Sequence, residues 1–232
     1  MKKKPTYVVA GSKPWNRRIF EEVICKNPGI WRFVDSREEL TAESLGEIKP
    51  KYVFFLHWSW HVPSEIIKNY ECVCFHMTDV PYGRGGSPLQ NLIVRGHRRT
   101  KLTALRMSED FDAGPVYLKE ELSLEGNAEE IYIRACYLSA EMIHRIISED
   151  PKPQPQVGES VIFKRRKPEE STIPALPSLQ ALYDFIRMLD AHGYPRASLE
   201  HAGFHYEFKR AAYYDGKIIA DVVITSRKGK NT

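Results

Sequence analysis

The chain has 232 residues, 42% of them hydrophobic and 28% charged, which fits one large domain or one domain with a small appendage and excludes a disordered chain or a fibre. Lys and Arg number 34 against 30 Asp and Glu, a formal charge of +4. Much of that small excess lies in Lys2–Lys4 and Arg227–Lys230, so a basic nucleic-acid groove is not expected.

Cys25, Cys72, Cys74 and Cys136 are too few for a disulfide scaffold, and no Cys-x-x-Cys or His/Cys cluster suggests a metal. The basic start is followed by no apolar stretch of signal-peptide length, and no window approaches the ~20 apolar residues of a membrane span. A cytoplasmic protein with no membrane partner is expected.

In chain order, Tyr7–Ala10 is an apolar strand closed by Gly11-Ser12. Pro14 opens a helix with Ile19, Phe20, Val23 and Ile24 at helical spacing. Ile30–Val34 reads as a second strand, followed by a polar stretch to Ile48. Tyr52–Leu56 is apolar at every position, as in a parallel strand covered on both faces. Pro63–Tyr70 reads as a short helix and Cys72–Phe75 as a fourth strand. Ser87-Pro88 suits an N-cap followed by Pro at the first helical position, opening Leu89–Arg95.

Lys101–Met107 and Val116–Leu124 read as further strands. Asn127 with Glu130 predicts a capping box on a helix to about Ser148, with Ile131, Leu138, Met142 and Ile146 on its apolar face. Pro151–Gly158 reads as a linker or extended crossing segment. Ser178 caps a helix carrying Leu179, Leu182, Phe185, Ile186 and Leu189, and Asp215-Gly216 predicts a type I′ hairpin between Tyr206–Tyr214 and Lys217–Ile224. The strand–helix alternation predicts an α/β fold, a Rossmann-like doubly wound, mostly parallel sheet, over residues 1–150. Residues 151–232 then form a linker and a small α+β annex.

Phe75-His76 follows the fourth strand, where an open α/β sheet presents ligand-binding residues. A Gly-rich loop runs on from it, and its backbone N–H groups can approach an anion or a carbonyl oxygen. A tight connection with a solvated histidine has the same pattern. A second loop, Met107–Val116, carries three acids within four residues. Most such loops are solvated turns, but an Asp beside a Gly at a strand edge can orient a histidine and keep it basic. Because both loops are read as leaving one edge of one sheet, His76 and Asp112 are the candidate acid/base pair.

These residues resemble the folate-dependent formyltransferases. Phe75-His76, Pro81, Gly85, Ser87-Pro88 and Gln90 are similar to that family's His-Pro-Ser-Leu-Leu-Pro loop and its continuation. Phe111-Asp112-Ala113-Gly114 with Val116 resembles its Leu-Asp-x-Gly motif, and the likeness in organisation covers about residues 5–150. It implies the formyltransferase fold, with 10-formyltetrahydrofolate as donor and His76 and Asp112 as catalytic residues. It also implies a pterin site formed by Trp58, Ser59, Trp60 and His61 within His57–Pro63, with Met107 and Asp110 on the other wall. Tyr82, Arg84, Gly85, Gly86 and Gln90 would meet the acceptor.

The family's triad places Asn two residues before the histidine, and Cys74 holds that place here. A thiol is a weak donor compared with an amide, so the resemblance leaves oxyanion stabilisation to another group or implies an inactive folate-binding homologue. Phe163–Glu170, with Arg165 and Arg166, resembles a segment of the sugar N-formyltransferases. Clustered guanidinium groups suit a diphosphate, and the same run also reads as a solvated basic strand. The loop's His-Met-Thr-Asp form resembles the enzymes of pseudaminic-acid-type biosynthesis, whose acceptors are UDP-linked 4-amino-4,6-dideoxy sugars. The resemblance therefore implies a nucleotide-linked amino sugar as acceptor, with methionyl-tRNA as the alternative, and leaves a homodimer open.

Overall fold

The computed structural model describes residues 4–226; the basic ends at Lys2–Lys3 and Arg227–Lys230 lie outside the described residues. In chain order the elements are β1 (Thr6–Gly11), α1 (Pro14–Glu22), β2 (Ile30–Val34), α2 (Ala42–Ile48), β3 (Tyr52–Leu56), α3 (Ser64–Asn69), β4 (Cys72–His76), β5 (Tyr82–Gly85) and α4 (Pro88–Val94). They continue with β6 (Arg99–Arg106), β7 (Val116–Ser123), α5 (Ala128–Glu149), β8 (Val161–Phe163), α6 (Leu179–Arg187), β9 (Ala197–His201), β10 (Phe204–Tyr214) and β11 (Lys217–Ser226). Two compact units result. One holds the residues up to Gly85 with Thr100–Leu122 and Ile133–Ile162; the other holds Gly86–Arg99, Ser123–Tyr132 and Phe163 onward.

The first unit is built on a six-stranded sheet in the order β2-β1-β3-β4-β6-β7. β1 pairs in parallel with β2 and β3, and β3 with β4. Every residue of β3 is buried, which is why its sequence shows no polar alternation. A core of Val8, Ala10, Val53, Phe55, Ile66 and Cys72 fills one face, with Trp58, Cys74 and Met107 packed against its margin. The fold is the mostly parallel, Rossmann-like α/β type expected from the sequence.

Two departures from the sequence reading are instructive. The polar stretch after β2 contains the helix α2, whose Thr41 Oγ1 accepts from the Ser44 N–H at 3.1 Å; only Leu45 on it is buried, too little for a periodic signal. The second departure concerns direction. β6 runs antiparallel to β4, with His76 opposite Thr103 and Val73 opposite Arg106. The loop after β6 therefore departs beside the amino end of β4, and not from the edge that carries His76. Apolar pattern identifies a strand but does not give its direction.

The second unit carries an antiparallel sheet in the order β11-β10-β9, with Asp215 and Gly216 both at positive φ in the expected hairpin turn. The Ser178 hydroxyl caps α6 by accepting from the Ala181 N–H at 3.1 Å. The Asn127/Glu130 capping box forms as read, with reciprocal bonds of 2.8 and 2.9 Å. Ser87 does sit at the N-cap of α4 with Pro88 behind it, but its side chain caps nothing. Its hydroxyl instead accepts from the Arg166 N–H at 3.0 Å.

Candidate active site

His76 ends β4 and is 8% exposed. Its Nε2 lies 2.8 Å from the carbonyl oxygen of Gly83. A carbonyl only accepts, so this nitrogen carries the proton. The Thr78 hydroxyl donates to the same carbonyl at 3.3 Å, and the Thr103 hydroxyl holds the Thr78 carbonyl at 2.7 Å. The ring is fixed from one side, and its other nitrogen, Nδ1, is 3.4 Å from Oδ1 of Asp112.

Asp112 reaches His76 because its loop folds back. The turn needs room at Gly114, where a Cβ would come 1.9 Å from the Arg106 carbonyl oxygen. Asp112 itself takes φ +52°, a conformation Asp tolerates better than most residues. Its second oxygen, Oδ2, accepts the Gly85 N–H at 2.9 Å, and Gly85 presents that N–H from a φ of +100° that a side chain would disfavour. His76, Gly83, Gly85 and Asp112 thus close a small ring of contacts within the first unit. Chemically, it can take a proton at one point and return it at another.

Cys74 stands one turn of the pleat before His76 and is half-buried. Burial, with the Asp112 charge second, pushes its thiol well above the ordinary cysteine range. It is therefore a neutral thiol, neither a nucleophile nor a strong donor.

Of the expected donor-site residues, Trp58 and Met107 meet the same core as Cys74. The Trp58 ring packs edge-on against Phe55 and Trp60, at 6.0 and 4.8 Å between centroids. Its indole Nε1 is buried with no hydrogen-bond partner among the described residues. A cavity of about 240 Å³ lies between Trp58, His61, Pro63, Leu40, Arg37 and Glu38. Ser59 bonds the Ser12 hydroxyl at 3.1 Å, and the Asp110 carbonyl accepts from Ser108 at 2.8 Å with its side chain exposed.

His57 has no role of its own in the sequence reading. Its Nδ1 accepts from Trp15 Nε1 at 3.2 Å and faces Asn16 Nδ2 at 3.3 Å, while its carbonyl accepts from Ser12 at 2.7 Å. Burial, and then nearby Lys13, press its pKa down to about 4, so the imidazole is neutral. It ties the turn after β1 to the start of the Trp58–His61 segment. The available signal was a histidine directly after the most apolar strand.

The expected acceptor residues are placed unevenly. Arg84 gives its guanidinium to Gln156 at 2.8 and 3.0 Å, and Tyr82 is half-buried beside it in β5. In the second unit Gln90 is 4% exposed, its amide spent on Tyr132 Oη at 3.0 Å and the Met188 carbonyl at 3.1 Å. The Gly86 N–H donates to the Phe163 carbonyl at 3.0 Å, and a Cβ there would strike the backbone of Arg165. Arg166 donates to the Glu170 carbonyl at 2.5 Å and lies over the Phe185 ring; Arg165 is exposed.

A methionyl-tRNA formyltransferase of known structure from Clostridium thermocellum is 43% identical, with a TM-score of 0.91 over 96% of this chain and 100% of its own. The chain belongs to the formyltransferase family. The model of the methionyl-tRNA formyltransferase C-terminal domain matches residues 168–225. A curated methionyl-tRNA formyltransferase from Thermodesulfovibrio yellowstonii is 26% identical over 153 residues, 62% of this chain and 50% of that protein. The chain thus spans about half the length of such curated formyltransferases. A 4-N formyltransferase from Francisella tularensis shares the fold at a TM-score of 0.67 and 15% identity, over 94% of this chain and 96% of its own. No helix among the described residues is long and apolar enough to cross a membrane.

Proposed function

We propose that this formyltransferase moves the formyl group of 10-formyltetrahydrofolate onto the primary amine of a nucleotide-linked amino sugar. The observation that carries the chemistry is the His76–Asp112 pair, set at 3.4 Å with its remaining polar atoms occupied by Gly83 and Gly85. The donor supplies an activated formyl carbon. The amine nitrogen bonds to that carbon, the bond from the carbon to the folate N10 breaks, and the proton lost by the amine ends on N10.

Within the chain, Asp112 takes that proton as the amine becomes cationic, and Nδ1 of His76 is the adjacent relay. With Nε2 tied to Gly83, Nδ1 is the ring atom free to change protonation. The peptide N–H of Gly85 keeps the carboxylate aimed. Trp58, Ser59, Trp60, His61, Met107 and Asp110 would hold the pterin. Support comes from the unpartnered Trp58 indole N–H at the edge of a cavity, because a buried donor without an acceptor favours a ligand that brings one.

The amino-sugar reading rests on the likeness of Phe163–Glu170 to sugar N-formyltransferases and on the exposed guanidinium of Arg165, which suits a diphosphate. The acceptor class it favours is a UDP-linked 4-amino-4,6-dideoxy sugar of the pseudaminic-acid type. The 43% identity to a methionyl-tRNA formyltransferase favours a second reading, the same transfer onto methionyl-tRNA.

Incubation with 10-formyltetrahydrofolate and, separately, UDP-amino sugars, dTDP-amino sugars and methionyl-tRNA discriminates the two. A mass gain of one formyl group on a nucleotide sugar supports the proposal. Formylation of methionyl-tRNA alone replaces its acceptor. Folate binding without turnover on any amine refutes the enzyme.

A further inference from the structure

Gln156 lies in Pro151–Gly158, a run whose composition is that of a linker. The structure gives its side chain one task. Nε2 donates to the carbonyl of Asp112 at 2.8 Å and to that of Gly114 at 2.7 Å. Oε1 accepts both Nε and Nη2 of Arg84, at 3.0 and 2.8 Å. A primary amide has two donor hydrogens and two lone pairs, and all four are used.

One is Asp112's own carbonyl and the other lies two residues on, so the backbone is held directly after the residue with the positive φ. Arg84 in turn precedes Gly85, whose N–H holds the Asp112 carboxylate at 2.9 Å. Backbone and carboxylate of one residue are thereby gripped from a single point in the chain. The Gln156 backbone is itself anchored. Gln154, two residues earlier, exchanges both backbone bonds with Val116 at 2.7 and 2.8 Å, and Pro151, Pro153 and Pro155 restrict the segment's conformations.

We propose that Gln156 is a positioning residue that, with Arg84, holds the Asp112 carboxylate in register with His76. Its effect on turnover rests on the function proposed above; its effect on Asp112 does not. Gln156→Met keeps the volume and removes all four hydrogen bonds. The Gly85 amide proton, bonded to the carboxylate, reports where that carboxylate is, so its NMR shift is the first readout.

In Gln156→Met the Gly85 resonance is expected to move most of the way to its position in Asp112→Ala. The value of kcat is expected to fall ~10–100-fold, with KM for donor and acceptor within about 3-fold, since misplacement of about 1 Å costs up to ~10²-fold. Arg84→Met, which frees the other end of the amide, should move the same resonance and covers the case of a poorly folded Gln156 variant. A Gly85 resonance unmoved in both variants overturns the proposal, as does unchanged kcat with only a lowered Tm. If the wild type formylates nothing, the function fails while the Gly85 shift still decides this inference.

Discussion

The carbonyl oxygen of Gly83 holds Nε2 of His76 at 2.8 Å and so decides which ring nitrogen meets Asp112. The Gly-rich loop therefore fixes the orientation of the histidine. His76→Asn removes both contacts while keeping a polar side chain of smaller size. The fold should survive, and kcat should drop at least ~10²-fold, the usual contribution of a positioned acid/base group. Steady-state kinetics with the thermal midpoint measured alongside checks it; turnover near wild type removes His76 from the mechanism.

Cys74, two residues before His76 where the resemblance puts an asparagine, is a neutral thiol. Cys74→Ala should keep most activity, because such a thiol contributes little as donor. Cys74→Asn brings an amide into a half-buried pocket beside His76 and should lose activity or stability, at a cost of about 1–3 kcal/mol if its amide is unpaired. Comparing kcat/KM for the two variants tests this. A fall of more than ~10²-fold in Cys74→Ala would make the thiol an oxyanion donor.

His57 predicts a pH dependence of stability. Its pKa of about 4 lies below the unfolded value of ~6.5. The unfolded chain therefore binds more protons between those limits, and stability is full above ~6.5 and falls as pH drops toward 4. The contribution is at most about 3 kcal/mol, from 1.36 kcal/mol per unit. In His57→Gln, urea midpoints should depend less on pH across that window; an identical slope would contradict the assignment.

Arg187 is 1% exposed and donates to the carbonyls of Leu124 at 2.6 Å and Gly126 at 2.8 Å, with Asp184 at 2.6 Å on its Nε. It binds α6 to the segment ahead of α5. Arg187→Leu removes the buried donor of two carbonyls and leaves Asp184 with only Gln180 and Arg98, and should destabilise the protein by about 2–4 kcal/mol. Chemical denaturation measures this; a loss below 1 kcal/mol would show that the network is replaceable.

Strands β1, β3 and β4 were legible because burial leaves apolar runs such as Tyr52–Leu56, and the edge strand β2, with Ile30 and Arg32 exposed, from its alternation. Caps at Asn127 and Ser178 were legible because each is local, a side chain bonding three residues ahead. The Asp215-Gly216 turn was legible for the same reason. The direction of β6 was not, since antiparallel pairing with β4 depends on a partner distant in sequence. The His76–Asp112 pair was read both from motif likeness and from two loops leaving one sheet edge, a premise that the direction of β6 overturns; the actual route, a loop folding back over a close approach at Gly114, has no sequence pattern. Gln156 was hidden by its neighbours: proline and polar residues describe a linker whether or not one amide among them holds a loop.

The most direct test is Asp112→Asn, which keeps the shape of the side chain and removes its charge and basicity. The measurement is single-turnover formyl transfer from labelled 10-formyltetrahydrofolate to the acceptor identified for the wild type, with donor affinity measured on the same samples. A rate at least ~10²-fold lower, with donor binding weakened by no more than about 1 kcal/mol, is the predicted result. Transfer at the wild-type rate would contradict the account, because the proton would then leave the amine without the His76–Asp112 pair.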